Sequence, residues 1–344
     1  VRLVGSEMCI RDSSKNFSHG LNHTACERLS MYEVFMYPVS GIMKFWHWLI
    51  SSFVGESTAW LISIVLLVIT VRGVVVPLNW ISVRSARIGA LIRPENNRIK
   101  KQMNNATTTE EMAELMQEEK NLMKSYNYNP AAGCVPPLIM IPAFIGLYQV
   151  LLRMSNLEHG STTVGMLNTS DVSAFRETTF YGAPLTDFAR EHGDLINPIL
   201  IAAIAFTMAN SVISLVRSFR TTQFDQKVNR RVFILMGFLL LVIPFFLWHL
   251  AQTGPIPVAI ILYWGCAYLF MLIQTAIFEI ILHRDYPLTE DVHAMRRESI
   301  RRWRKREKEP ALSKEEKKRV SQLRTEARKY LKSNNQQGEQ KASE

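Results

Sequence analysis

The chain has 344 residues, of which 48% are apolar, and carries 40 Lys plus Arg against 30 Asp plus Glu, for a formal charge of +10 and a mean hydropathy of +0.02. That near-zero average combines long uncharged runs with the densely charged segments between them, which excludes the pair of soluble domains that length alone suggests. The cysteines Cys9, Cys26, Cys134 and Cys266 lie far apart with no CxxC spacing, so neither a metal site nor a disulfide framework is expected.

Residues 1–30 are expected to be a non-native or disordered extension. The chain opens on Val1, Val1 to Ser13 reads as a translated adapter, and Met31 is the expected natural start. No apolar core of a signal peptide is present, so Ala25-Cys26 is not read as a lipoprotein cleavage site. Over residues 31–56, Ile42, Phe45, Trp48, Leu49 and Phe53 recur at helical spacing, with Lys44, His47 and Ser51 on the other side. That pattern predicts an amphipathic helix in the outer interface, the alternative being a sixth transmembrane helix that puts the chain's start inside.

Five spans are predicted across 57–282, because a spanning helix needs about 20 mostly apolar residues. They lie near Thr58 to Leu78, Ala131 to Leu152, Leu195 to Val216, Val232 to Leu250 and Val258 to Leu282; the uncharged run from Val232 to Phe278 folds back at the turn residues Ala251 to Pro257. Lys and Arg then set orientation. The segments 79–130 and 218–231 with the tail 283–344 hold thirty, and the alternate segments hold only Arg153, Arg176 and Arg190. The amino terminus is therefore expected outside and the carboxyl terminus in the cytoplasm.

The 79–130 segment is predicted to form a cytoplasmic helical hairpin, one helix from Ile81 to about Met103 and a second starting where Thr108 and Glu111 have capping-box spacing. Met112, Leu115, Met116, Leu122 and Met123 mark an apolar stripe. It is either the seam between the two helices or an adaptable surface on which Met112, Met116 and Met123 receive apolar segments. The second span contains Pro136, Pro137 and Pro142, tolerable in a membrane where neighbours or water satisfy the freed carbonyls. Thr207, Asn210, Ser211 and Ser214 fall on one face of the third span, and the fifth carries Tyr263, Gln274 and Thr275. Such stripes are either interhelical hydrogen bonds or the lining of a hydrated cavity.

Arg72 is the one charge deep in a span other than Glu279, which lies near the end of the last. Placing arginine there costs roughly 2.5 to 3.5 kcal/mol on insertion scales, so a partner or a solvated concavity is expected, although a snorkelling route of about six residues to the cytoplasmic side exists. In the tail, Arg296, Arg297, Arg301, Arg302, Trp303, Arg304, Lys305 and Arg306 form the densest basic cluster, suited to anionic lipid or ribosomal RNA.

In order, Thr70-Val71-Arg72 with Pro77-Leu78, a charged hairpin, Asn129-Pro130-Ala131-Ala132-Gly133-Cys134-Val135-Pro136 with Ile141-Pro142 and Leu147-Tyr148, and Leu262-Tyr263-Trp264 with Gln274 resemble the YidC family of membrane protein insertases over about Tyr37 to Leu282. Lacking a large outer domain within that stretch, the match is similar to the shorter Gram-positive form. Met140 stands where relatives often have glutamine, and Ala267-Tyr268 replaces a common Ser-Asn. The resemblance implies an all-α integral membrane protein that moves nascent membrane proteins from the cytoplasm into the bilayer, alone or beside the general secretion channel. It also implies a hydrophilic groove containing Arg72, with Thr207, Asn210, Tyr263 and Gln274 as candidate lining. No cofactor or catalytic residue is expected, since neither GxxxxGK[ST] nor HExxH occurs. A small-solute or anion transporter is the rival reading, and a complex-assembling scaffold the third.

Overall fold

The computed structural model describes residues 19–129, 135–155, 163–305 and 313–343. Helices dominate: α1 (His19–Ser51), α2 (Glu56–Leu91), α3 (Arg93–Asn105), α4 (Thr109–Ser125), α5 (Val135–Ser155), α6 (Thr169–Glu177), α7 (Gly193–Thr221), α8 (Lys227–Thr253), α9 (Val258–Asp285), α10 (Glu290–Arg304) and α11 (Lys314–Ser343). Among the described residues the sheet content is one two-residue pairing, β1 (Thr179–Phe180) with β2 (Ala183–Pro184). Tyr181 and Gly182 between them both have positive φ, the combination that closes a two-residue hairpin with the right twist.

Among the described residues, α2, α7, α8 and α9 are long and apolar enough to cross a membrane, and α5 supplies a shorter apolar helix, Met140–Met154. Four of the five expected spans thus appear at full length; the start of the second, Ala131 to Cys134, lies outside the described residues. Helix α8 is the clearest case. Its apolar stretch is nowhere buried, and Val232, Ile234, Phe238, Leu241 and Phe245 all point outward. A helix apolar all round is stable in lipid, where its backbone bonds are already satisfied, and not in water.

The chain divides into two compact units. The first comprises 1–67, 141–187 and 257–260. Here α1 buries Met36, Val39, Ser40 and Met43 and leaves Phe45, Trp48, Leu49 and Phe53 exposed. The expected apolar face therefore is outward, while Lys44 and His47, read as the solvent side, meet protein: Lys44 pairs with Asp171 at 2.9 Å and His47 stacks on Trp60 with centroids 3.9 Å apart. Trp60, fully buried, meets Phe175 edge to face. Gly146 of α5 lies against the Phe35 carbonyl, and Gly165, at φ +61, lies against the Ser40 hydroxyl. The backbone amides of Val258 and Ala259, at the start of α9, donate to the carbonyls of Asp187 and Leu185 at 2.9 Å each.

The second unit comprises 68–140, 188–256 and 261–344. The helix entering the predicted hairpin is α2 itself, which continues through Leu91; the break comes at Ile92, and Pro94 starts α3. The reason is local, since Pro94 has no N–H to carry the i to i−4 bonding of α2 onward to Ala90 but fits a helix's first turn. As expected, Thr108 caps α4, accepting from the Glu111 amide at 3.2 Å, while the Glu111 carboxylate accepts from the Thr107 amide. The apolar stripe is a seam, though with a third participant. Ile99 and Met103 of α3, Met112 and Ala113 of α4, and Val320 and Ala327 of α11 form one buried cluster. The tail beyond Ser313 thus packs its Val320, Leu323, Ala327 and Leu331 face on the hairpin.

Candidate functional site

Arg72 is half-buried on α2, beside Gly73, whose position is open. Its Nε is enclosed and has no hydrogen-bond partner among the described residues. On α9, buried Tyr263 lies within electrostatic reach of the Arg72 charge. Gln274 follows Tyr263 by eleven residues, close to three helical turns, so the two share a face of α9. Gln274 is buried, and its Oε1 likewise lacks a partner. Orphaned buried polar atoms are rare in native structures and mark places where water or a ligand completes the bonding. Here a cationic donor and a neutral acceptor are both left unsatisfied.

Thr207 and Asn210 are used differently. The Thr207 hydroxyl donates to the Ala203 carbonyl of its own helix at 2.7 Å. Asn210 joins helices: its Nδ2 donates to the Phe206 carbonyl at 3.0 Å and the Tyr268 carbonyl at 3.1 Å, and its Oδ1 accepts from the Thr275 hydroxyl at 3.2 Å. Of the two readings of this stripe, Asn210 takes the part of interhelical glue.

Met112 is fully buried in the α3, α4 and α11 cluster, so it presents no surface. Met116 and Met123 line an open recess of about 660 Å³ whose rim carries Glu119, Lys120 and Lys124. In the tail, α10 folds back on the α7–α8 loop. Trp303 stacks on Phe224 with centroids 5.9 Å apart, Ser299 Oγ accepts from the Phe224 amide at 3.3 Å, and Arg302 pairs with Asp225 at 3.7 Å. Arg301, Arg304 and Lys305 are exposed, and Arg306 lies outside the described residues.

Two anchors are not evident from spacing. Arg84 Nε donates to the Tyr286 hydroxyl at 2.7 Å, and Arg87 Nε to the Tyr286 carbonyl at 2.9 Å, tying the end of α2 to the end of α9. The only signal for them is Tyr286 itself, an aromatic between Asp285 and Pro287 where the last span stops. Among the described residues, no group of acidic, histidine or cysteine side chains is arranged to hold a metal.

Residues 49–284 match the family model of the 60Kd inner membrane protein. The chain is 35% identical over 302 residues to the membrane protein insertase YidC of Corynebacterium efficiens, covering 81% of this chain and 76% of that protein. It is 34% identical over 301 residues to that of Corynebacterium glutamicum, covering 81% and 71%, and 26% identical over 244 residues to that of Oceanobacillus iheyensis, covering 70% and 81%. With that match spanning the apolar helices, the chain belongs to the YidC family of 60Kd inner membrane proteins and is a multi-pass protein of the bacterial plasma membrane.

Proposed function

We propose that this chain is a membrane protein insertase that receives nascent membrane proteins at a hydrophilic recess around Arg72 and releases their apolar segments into lipid without nucleotide hydrolysis. The observation that carries the reading is the enclosed Arg72 Nε without a partner among the described residues, on the family-matched stretch, with Tyr263 in electrostatic reach. A guanidinium in a low-dielectric recess attracts an acidic group far more strongly than one in water. An acidic residue of the incoming segment would be held there transiently. The apolar span then leaves for lipid, a downhill transfer.

In this reading the amino terminus is outside, and the hairpin, α10 and α11 are cytoplasmic, as the Lys and Arg distribution favours. The recess beside Met116 and Met123 would meet the emerging chain. The exposed Arg301, Arg304 and Lys305 would meet ribosomal RNA or anionic lipid, and the general secretion channel is a further partner.

The test is reconstituted insertion of a substrate with an acidic outer tail. Arg72→Ala is expected to weaken it more than Arg72→Lys, and more than it weakens insertion of a substrate whose tail is neutral. Unchanged insertion with both variants would overturn the role of the charge. Crosslinking from Tyr263 and Gln274 positions to a ribosome-bound nascent membrane protein tests the recess directly.

A further inference from the structure

Where α2, α7 and α9 end, a cavity of about 490 Å³ is lined by Arg87, Arg93 and Arg217, with Glu279 the only carboxylate among the described residues of its wall. Each arginine commits one nitrogen to protein: Arg87 Nε to the Tyr286 carbonyl, Arg93 Nη1 to the Thr221 carbonyl and Arg217 Nε to the Glu279 carboxylate. A guanidinium has five N–H donors, so most of each fork is left without a partner among the described residues. Arg87 is 6% exposed, and the charges of Arg217 and Arg220 repel it while Glu279 attracts it. Converging cations in a partly buried site are unfavourable unless an anion accompanies them. The wall has two positive charges in excess, and the hydroxyls of Ser218 and Thr222, bonded to each other at 3.3 Å, leave one neutral donor beside them.

The depth of the cavity narrows the identity of that anion. Val232 and Met236 of α8 form one side of it, and Val232 is exposed. Lys227, Arg230 and Arg231 precede Val232, and no Asp, Glu, Lys or Arg follows within α8, so the cavity lies where α8 passes from charged to apolar sequence. That is the level of a lipid headgroup, and basic pockets between spans suit anionic lipids.

We propose that this cavity binds the phosphodiester of an anionic phospholipid. Arg87, Arg93 and Arg217 hold the phosphate oxygens through charge-assisted hydrogen bonds, and the acyl chains run along the exposed apolar flank of α8 from Val232. The proposal rests on these helices crossing a membrane and is independent of the insertase reading.

The test is native mass spectrometry of the full chain in mild detergent with added phosphatidylglycerol or phosphatidylcholine, with inorganic phosphate as competitor. Phosphatidylglycerol is expected to be retained in preference. Arg93→Gln and Ser218→Asp, the latter placing a carboxylate among the guanidinium groups, are each expected to lower its retention by about tenfold or more, the scale of one charge-assisted bond. Arg98→Gln, exposed on α3 outside the cavity, is expected to leave it unchanged. Loss in either cavity variant, with circular dichroism intact, supports the site. Equal retention of the two lipids, or retention unchanged in both folded cavity variants, overturns it. Displacement by inorganic phosphate at matched concentration overturns the lipid assignment in favour of free phosphate.

Discussion

Thr275 of α9 donates its hydroxyl to the side-chain oxygen of Asn210 on α7 at 3.2 Å, while Asn210 returns its amide to the Tyr268 carbonyl at 3.1 Å. This two-way tie joins the third and last long spans. It also takes Asn210 out of the set of polar groups free to meet a substrate, unlike Gln274 one residue before its partner, whose Oε1 is unsatisfied.

Asn210→Leu is therefore expected to destabilise the fold by about 1 to 2 kcal/mol, since it removes both hydrogen bonds that tie α7 to Tyr268 and Thr275 of α9. Thr275→Val is expected to cost less, with a coupling of about 0.6 kcal/mol between them. A double-mutant cycle of unfolding in bilayers measures it. Insertion activity unaffected at matched stability would agree with a structural role.

His47, stacked on Trp60, gives the first unit a pH dependence. Burial lowers its pKa from the ordinary value, against the opposing pull of Glu56 and Asp171. Because folding disfavours the protonated ring, its stabilising contribution is full above the ordinary value of 6.5 and is lost as pH falls through it toward the lower folded value. The melting temperature should decline on acidification across this range. In His47→Gln that slope should flatten; an unaltered slope would assign it elsewhere.

Gly146 is required by close approach. A Cβ there would enter the space of the Phe35 carbonyl oxygen, a backbone atom that cannot turn aside. Gly146→Ala is expected to cost about 2 kcal/mol or more, as overpacking of a rigid contact does, and to lower the thermal midpoint. Gly73→Ala, at an open position, is the matched control.

Ala327 is fully buried where α11 meets α3 and α4. Ala327→Asp places a carboxylate in that cluster at a cost of about 2 kcal/mol or more, which should detach α11 and speed tryptic cleavage at Lys329 and Lys332. Cleavage at the wild-type rate would mean that α11 is not held by this seam. Freed from the hairpin, α11 would also uncover Met112 to solvent probes.

On the proposed contact of the exposed Arg301 and Arg304 with ribosomal RNA, cosedimentation with ribosomes is expected to fall with salt, since each phosphate contact releases counterions. Replacing both with Gln should lower binding at low salt and flatten its decline with salt. Equal binding at both salt levels would remove the electrostatic role.

The all-α membrane class, the long spans and the α4 cap were legible from the chain itself, because they depend on local quantities. An uncharged run of about 20 residues can satisfy its backbone only as a helix in lipid, and Thr108 with Glu111 caps through bonds three residues apart. A single helix from Ile81 to about Met103 was expected where the chain breaks at Ile92, for a reason also present in the sequence: Pro94 starts a helix and does not continue one. What periodicity left undecided was the partner of each face. Lys44 and His47 look like a wet face until Asp171 and Trp60, more than 120 and about a dozen residues away, are placed against them. The stripe on α4 names no partner until α11, some 200 residues later, covers it. Likewise, Asn210 and Gln274 are equivalent as polar residues in apolar helices, and only the packing of α7 on α9 satisfies one and strands the other. Span and cap follow from short-range bonding; which polar group remains unsatisfied, and so available for chemistry, is a property of distant residues brought into contact.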